Sequence, residues 1–408
     1  MGVQFADTDG KQAQVGVAEL ASLVQTLGLC VSEQVVVHGE RPNSRLLIGS
    51  GKTAQIIAAA HAQQADCIVF DVDLSPSQQR NWERLSRLEV TDRQEVILEI
   101  FCAHAASREA TIQVELARLQ YMLPRLTRAW THLSRQRGGA RGTRESGETQ
   151  LEADRRLIMR KISRLKQDLQ KVKQSRDSQK KLRRKQDVLS ISIVGYTNTG
   201  KSSLMNSLTG AGTLVENKLF ATLDPTTRRL DLPGGQGLVL TDTVGFIRKL
   251  PHQLVEAFKS TLEEVVLADY LVHVLDCSCS DVDQQWRTTL SVLHELGADA
   301  KPTLTVFNKI DLVADPLQLE MLKIRYPEAV FLSAKTGAGV PDLISALTQL
   351  ALGRFATVEF DIPQSRFDLA TYVHRTGWVC SQEYSDSRIH ITARVPLKTK
   401  SRLAEYVV

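Results

Sequence analysis

Short apolar runs alternate with helical patterns along the first hundred residues of this 408-residue chain. The apolar runs lie at 35–37 and 67–70, and apolar residues recur at helical spacing over 17–27 and around 54–62. This alternation predicts a small α/β domain with a parallel sheet over residues 1–103. A Gly-Ser-Gly-Lys sequence at 49–52 lacks the full spacing of a phosphate-binding loop, so we interpret it as a turn and a helix start.

Two long helical patterns follow this first domain. Leucines recur at intervals of three and four between Ile112 and Leu126, and the same rhythm returns between Leu151 and Val172. The pattern predicts a long antiparallel helical hairpin over residues 104–187, whose second helix runs from about residue 150 to about residue 185. The glycine-rich sequence RQRGGARGTRESGE at 135–148 is expected to be a non-helical, flexible tip, because glycine disfavours helix.

Positive charge is concentrated in this hairpin. The whole chain carries a net charge of +5, but between Arg125 and Lys185 there are 20 Lys/Arg against 6 Asp/Glu, which leaves the rest of the chain at −9. The residues with few acidic neighbours are Arg155, Arg156, Arg160, Lys161, Arg164 and Lys166. Dense positive charge on a long helix favours contact with a nucleic-acid backbone, whereas a solvated coiled coil is the alternative interpretation.

Composition narrows the class of protein. Hydrophobic residues make up 42% of the chain, which is enough for packed domains, and the six cysteines form no CxxC pair. No run of about 18 apolar residues occurs. We therefore expect a cytoplasmic, monomeric protein without membrane insertion.

A strand-like run at 189–194 leads directly into GYTNTGKS at 195–202, and a helical pattern continues to residue 208. This is the GxxxxGKS phosphate loop in its required context. Its glycines let backbone N–H groups surround phosphate oxygens, Lys201 reaches the β and γ phosphates, and the Ser202 hydroxyl can ligate Mg²⁺. The predicted nucleotide contacts here are Gly195, Tyr196, Thr197, Asn198, Thr199, Gly200, Lys201, Ser202 and Ser203.

A second motif, DTVG, ends the next apolar run. Asp242 is expected to hold Mg²⁺ through a water molecule, and the Gly245 amide is expected to meet the γ phosphate. The predicted contacts from this motif are Asp242, Thr243, Val244 and Gly245.

Two further motifs identify the base. The carboxylate of Asp311 can accept both the N1–H and the exocyclic amine of guanine, whereas adenine presents an acceptor that would repel it. The predicted base contacts are Asn308, Lys309, Ile310 and Asp311, with Ser333, Ala334 and Lys335 completing the pocket. Four motifs in this order predict GTP as substrate and a P-loop α/β GTPase domain over residues 188–353.

The segment that senses the γ phosphate should lie between the phosphate loop and DTVG. The suitable stretch is 220–228, and the predicted nucleotide contacts within it are Phe220, Ala221, Thr222, Leu223 and Asp224. We select Thr222 as the hydroxyl that completes the Mg²⁺ shell, with Thr226 and Thr227 as open alternatives. The predicted catalytic residues are thus Lys201, Thr222, Asp242 and Gly245.

Phe246 follows DTVG, where Ras-like enzymes place a glutamine that orients water. An apolar ring cannot polarise water. We therefore expect slow GTP hydrolysis by the isolated protein and stimulation by a partner.

Several longer sequences resemble the HflX family of translation-associated GTPases over nearly the whole chain. They are LSPSQQRN at 74–81, WTHL at 130–133, GETQLE at 147–152, GYTNTGKS, FATLDPT at 220–226 and DTVGFIR at 242–248. The sequence ARGTRES at 140–146 departs from the family's more regular glycine-rich stretch. The resemblance implies binding to the large ribosomal subunit, with the hairpin directed into ribosomal RNA near the peptidyl-transferase region, and GTP-dependent splitting of stalled ribosomes.

Two other functions use the same motifs. One is a GTPase that assists large-subunit assembly, and the other is a nucleotide-gated adaptor for protein partners. The remaining residues, 354–408, are predicted to form a small α/β domain with a strand near 388–395, whose role the sequence leaves open.

Overall fold

The computed structural model describes most of the chain. The described residues are 1–5, 10–39, 41–126, 144–184, 189–210, 219–220, 223–233, 237–248, 259–279, 281–353, 355–385 and 387–408.

The N-terminal region contains two pairs of parallel strands and four helices. The strands are β1 (Gly2–Phe5), β2 (Val36–Gly39), β3 (Cys67–Phe70) and β4 (Glu89–Asp92), with β1 paired to β2 and β3 paired to β4. The helices are α1 (Gly10–Thr26), α2 (Ser50–Ala62), α3 (Pro76–Ser86) and α4 (Arg93–His104). The predicted parallel α/β fold is confirmed, and residues 49–52 form the start of α2 as expected.

Aromatic packing fixes the centre of this region. The rings of Phe70 and Trp82 are fully buried and meet edge to face, with centroids 5.0 Å apart. The indole N–H of Trp82 donates to the Leu46 carbonyl at 2.8 Å, so the one polar atom of this ring is satisfied inside the core.

Two helices follow and pack against each other, α5 (Arg108–Met122) and α6 (Arg144–Arg184). Leu116 and Leu165 are buried in their contact, and Lys161 pairs with Glu115 at 2.5 Å. The apolar positions that predicted the hairpin therefore form the contact between the helices. The tip at 127–143 lies outside the described residues.

The start of α6 corrects the sequence interpretation. We predicted that residues 135–148 would be non-helical, but the helix begins at Arg144 and includes Gly147. A single glycine within a helix costs only about 1 kcal/mol relative to alanine, and a helix of 41 residues tolerates that cost.

The GTPase region is a six-stranded sheet in the order β10-β9-β8-β5-β7-β6, in which only β6 is antiparallel to its neighbour. Its strands are β5 (Leu189–Gly195), β6 (Thr226–Asp231), β7 (Gly237–Asp242), β8 (Tyr270–Asp276), β9 (Thr303–Asn308) and β10 (Val330–Phe331). The described helices are α7 (Lys201–Thr209), α8 (Lys259–Leu267), α9 (Val282–Glu295), α10 (Pro316–Arg325) and α11 (Val340–Leu352). Because β5, β7 and β9 run parallel, the motifs that follow them meet at one edge of the sheet.

The C-terminal region is a three-stranded antiparallel sheet, in the order β11-β13-β12, with short helices. Its elements are β11 (Phe355–Pro363), α12 (Phe367–Thr376), β12 (Trp378–Ser385), β13 (Arg388–Pro396) and α13 (Leu397–Arg402). The predicted strand near 388–395 is thus the central strand of this sheet. Across the described part of the chain, every helix is too short or too polar to span a bilayer.

Candidate functional site

The phosphate loop connects β5 to α7, and Lys201 is the first residue of that helix. Its ammonium is buried and donates to the Tyr196 carbonyl at 2.6 Å, and the Thr199 hydroxyl donates to the same carbonyl at 3.0 Å. Gly200 adopts φ +89°, and a side chain there would collide with the Asn308 amide. The loop is therefore held in a tight curve that only glycine permits at this position.

Burial changes the acidity of Lys201. It lowers the pKa of the ammonium to about 8, against the opposing effect of the Asp242 carboxylate, and Lys309 lowers it further. A buried cation with a depressed pKa gains most from an added negative charge. Phosphate oxygens placed beside Lys201 would supply that charge.

A hydroxyl and a carboxylate meet beside this lysine. The Ser202 hydroxyl donates to Oδ2 of Asp242 at 2.5 Å, and Asp242 is itself buried at the end of β7. Magnesium prefers hard oxygen ligands, and it is bound in nucleotide sites by one or two side chains together with phosphate oxygens. This donor set fits Mg²⁺.

The DTVG segment is bound to the phosphate loop through its backbone. The Thr197 amide donates to the Phe246 carbonyl at 2.7 Å, and the Phe246 amide donates to the Gly195 carbonyl at 3.0 Å. A Cβ added to Gly245 would lie 2.8 Å from both Lys201 Nζ and Thr197 Cα. Position 245 therefore has room for glycine alone.

The side chain of Phe246 is 1% exposed and packs in a core cluster with Val194 and Leu262. The ring lies in the core of the domain, where it cannot orient a water molecule.

Asn308 joins the motif that precedes the base site to the phosphate loop. Its amide nitrogen donates to the Thr199 carbonyl at 2.8 Å, and its amide oxygen accepts from the Ala334 backbone N–H at 2.9 Å. Asp311 is exposed on a short 3₁₀ turn, Ile310–Leu312, so its carboxylate can receive a base from solvent. Three of the predicted motifs thus converge around one buried amide.

The neighbours of Asn308 are placed by local contacts. Lys309 has a left-handed backbone at φ +67° and pairs with Asp276 at 2.7 Å. Ser333 is buried and its hydroxyl accepts from the Thr336 N–H at 3.2 Å, while Lys335 is exposed. Ser333, Ala334 and Lys335 therefore form a turn beside the base motif.

The predicted γ-phosphate sensor is described only in part, because Ala221 and Thr222 lie outside the described residues. Phe220 and Leu223 are buried against the N-terminal region, where the rings of Phe220 and Phe101 meet with centroids 4.7 Å apart. Asp224, for which nucleotide contact stays a prediction, accepts from the Ser107 backbone N–H at 2.8 Å and from the Ser107 hydroxyl.

The two threonines kept as alternatives lie in a strand. Thr226 begins β6 and stands opposite Asp242 of β7. The hydroxyl of Thr227 lies 3.3 Å from that of Thr241.

Comparison with known proteins covers nearly the whole chain. Residues 14–102 match a family described as GTP-binding GTPase N-terminal, residues 104–183 match GTP-binding GTPase Middle Region, and residues 190–309 match 50S ribosome-binding GTPase. A protein named GTPase HflX from Akkermansia muciniphila is 44% identical over 416 residues, which is 99% of this chain and 95% of that protein. The chain belongs to the HflX family of GTPases. GTPase HflX from Escherichia coli K12 is 40% identical over 390 residues, covering 95% of this chain and 91% of that protein.

One solved structure is also similar to this chain. It is a GTP-binding protein from Sulfolobus solfataricus in complex with GDP, 28% identical, with a TM-score of 0.43, covering 86% of this chain and 99% of that one. Membership of the HflX family confirms the predicted resemblance, and it confirms that the chain is a GTPase.

Sequence reasoning missed the side chains of this HflX-family chain that reach the site from the N-terminal region. Glu19 accepts a hydrogen bond from the Tyr196 hydroxyl, and Arg93 donates to the Arg248 carbonyl at 3.2 Å. Tyr196 was predicted only as a phosphate-loop residue, yet its ring joins the N-terminal core cluster. The partners are up to 177 positions apart, so no local sequence pattern indicates these pairs.

Proposed function

We propose that this HflX-family GTPase binds the large ribosomal subunit in its GTP-bound state and splits stalled ribosomes, acting as a monomer. The observation that carries the proposal is the exposed basic surface of α6 in a chain whose GTPase region matches a family described as 50S ribosome-binding GTPase. We further propose four functional domains at the predicted boundaries: 1–103, 104–187, 188–353 and 354–408.

The phosphate end of the nucleotide site is proposed to work through charge. Lys201 would bind the β and γ phosphates, and the close approach of Gly245 to Lys201 supports a γ-phosphate contact by its amide. Ser202 and Asp242, the latter through water, would hold Mg²⁺ together with Thr222. When bound, the ion stabilises negative charge on the phosphate oxygens.

The base end of the site is proposed to select guanine. Asp311 would accept the two N–H groups that distinguish guanine from adenine, and its exposure beside the Asn308 network supports this role. GDP would keep these contacts, whereas it would lose those made by Gly245.

Hydrolysis by the isolated protein is proposed to be slow. Among the described residues that follow DTVG, up to Arg248, the first side chain in the sequence is the buried ring of Phe246. Because this ring cannot orient water, its position supports the need for a partner. A ribosome-bound partner would supply or reorder the missing group.

The RNA-contacting surface is proposed to be the basic face of α6. All six residues are exposed: Arg155, Arg156, Arg160, Lys161, Arg164 and Lys166. Glu152 pairs with Arg156 at 3.1 Å and Glu115 with Lys161. Exposed ion pairs of this kind are worth little and exchange readily for phosphate contacts.

The test replaces Arg155, Arg160 and Arg164 together by glutamine, a residue of similar helix propensity. Intact ribosomes are incubated with protein and GTP, and subunits are separated on sucrose gradients. The wild type should convert ribosomes to subunits, and the variant should not. For binding to large subunits, the slope of the logarithm of the binding constant against the logarithm of salt concentration should also become shallower by about 2 to 3, roughly one for each phosphate contact removed.

A matched control replaces three exposed arginines on other helices, Arg84, Arg287 and Arg375, by glutamine. This control should split ribosomes like the wild type. Binding only to immature subunits would support the assembly function instead, and salt-insensitive binding to ribosomal proteins would support the adaptor function. Normal splitting by the α6 variant would refute the proposed RNA surface.

A further inference from the structure

The backbone just after DTVG is held on both of its polar groups. The Arg248 N–H donates to the hydroxyl of Tyr196 at 2.9 Å, and the Arg248 carbonyl accepts from Arg93 at 3.2 Å. Tyr196 belongs to the phosphate loop and Arg93 to α4 of the N-terminal region. The segment that carries Gly245 is thus fixed at its far end by two side chains from different parts of the molecule.

Glu19 orients both of these side chains. Its carboxylate accepts from the Tyr196 hydroxyl through one oxygen and from Arg93 through the other, the latter at 2.5 Å. The second carboxylate on Arg93 is Asp71, at 2.7 Å. Hydrogen bonds with a charged partner are the stronger kind, so the network is well suited to hold a backbone in place.

The environment of the tyrosine keeps its proton in place. Burial and the neighbouring Glu19 carboxylate raise the pKa of Tyr196. The hydroxyl can therefore donate to Glu19 and accept from the Arg248 N–H at the same time.

The segment that carries Gly245 packs so closely against the phosphate loop that a small displacement would change the direction of the Gly245 amide. A Cβ added at Gly245 would lie only 2.8 Å from Thr197 Cα and from Lys201 Nζ, and Phe246 forms two backbone hydrogen bonds with the phosphate loop. Val244 and Ile247 pack in the same core cluster as Tyr196 and α4. Contacts on both sides of Gly245 therefore determine where its amide points.

We propose that Tyr196 is a positioning residue for GTP, which acts by holding Arg248 so that the Gly245 amide faces the γ phosphate, and that Glu19 of the N-terminal region orients it. GDP has no γ phosphate, so the network distinguishes GTP from GDP. This inference rests on the proposed nucleotide site and not on the ribosomal function.

The test compares Tyr196→Phe with the wild type for binding of fluorescent GTP and GDP analogues, without ribosomes. Loss of one hydroxyl that makes two hydrogen bonds should weaken GTP-analogue binding about tenfold. GDP-analogue binding should stay unchanged. Single-turnover GTP hydrolysis by Tyr196→Phe should also be slower than in the wild type, in parallel with its weaker GTP binding.

Glu19→Gln should lower GTP-analogue affinity in the wild-type background and lower it much less in the Tyr196→Phe background, because Glu19 acts largely through that hydroxyl. The matched control is Tyr121→Phe. Tyr121 is also buried, and its hydroxyl contacts the carboxylates of Asp92 at 3.1 Å and Glu95 at 3.2 Å. This control should lower the melting temperature and leave the ratio of GTP to GDP affinity unchanged.

Equal losses of GTP and GDP affinity, unchanged GTP affinity, or faster hydrolysis in Tyr196→Phe would each overturn the inference. Failure of the wild type to bind either analogue would instead overturn the proposed site.

Discussion

Replacement of Gly245 by alanine tests the geometry of the nucleotide site most sharply. The added Cβ would lie 2.8 Å from Thr197 Cα, whereas ordinary contacts begin at 3.4 Å, so the segment must move by at least the difference. Both backbone hydrogen bonds of Phe246 to the phosphate loop resist that movement, at 2.7 and 3.0 Å. Overpacking of this kind costs about 1 to 3 kcal/mol, which corresponds to roughly 5-fold to 150-fold in an equilibrium or rate constant.

We expect Gly245→Ala to reduce single-turnover GTP hydrolysis within that range. The assay is release of phosphate from GTP under enzyme excess, with and without ribosomes. The control is Gly51→Ala in α2, where the added Cβ meets no atom within 4 Å. That variant should hydrolyse GTP normally and melt at a slightly higher temperature, because alanine favours helix. Hydrolysis by Gly245→Ala at the wild-type rate would refute the close approach of DTVG to the phosphate loop.

Three further predictions follow from single side chains. Asp311→Asn should lose GTP hydrolysis and gain xanthosine triphosphate hydrolysis, because an amide can donate to the C2 oxygen of xanthine. Both rates are measured by phosphate release. A variant that still prefers GTP would exclude Asp311 from the base site. Lys52→Ala should leave GTP hydrolysis unchanged and Lys201→Ala should abolish it, because residues 49–52 only begin α2. The reverse result would show that the phosphate-binding loop lies at residues 49–52. Burial and Lys201 lower the pKa of His273 to about 3, from its ordinary value of 6.5. Between those two values only the unfolded chain binds the proton, so stability is lost as the pH falls. Between about pH 7.5 and about pH 5.5, His273→Leu should therefore lose about 1 kcal/mol less stability than the wild type, measured by thermal unfolding, and parallel pH profiles of the two proteins would contradict this.

The nucleotide motifs could be predicted because each is a short string at the end of an apolar run. Asp242 ends β7 and Asn308 ends β9, and parallel strands bring such ends to one edge of a sheet. The leucine spacing likewise predicted the contact between α5 and α6. Local sequence contains these signals, because the spacing of apolar residues in a helix or strand, and the motif that follows it, span only a few positions.

The contacts between regions could not be predicted in this way. Tyr196 meets Glu19 across 177 positions, and Asp224 meets Ser107 across 117. Such pairs depend on how folded regions pack, and neither residue type nor spacing in one sequence indicates them. The early start of α6 was missed for another reason, because glycine content was weighed above the length of the helix that follows.

GTP binding by this chain is proposed to drive ribosome splitting. The Asp311→Asn variant allows one direct measurement, because other GTPases in the assay do not use its expected nucleotide, xanthosine triphosphate. Light scattering of intact ribosomes is followed after the variant is mixed with either GTP or xanthosine triphosphate. We expect scattering by the variant to fall with xanthosine triphosphate and to stay constant with GTP, whereas wild-type protein should show the opposite. Constant scattering with both nucleotides, from a variant that binds ribosomes and hydrolyses xanthosine triphosphate, would contradict it.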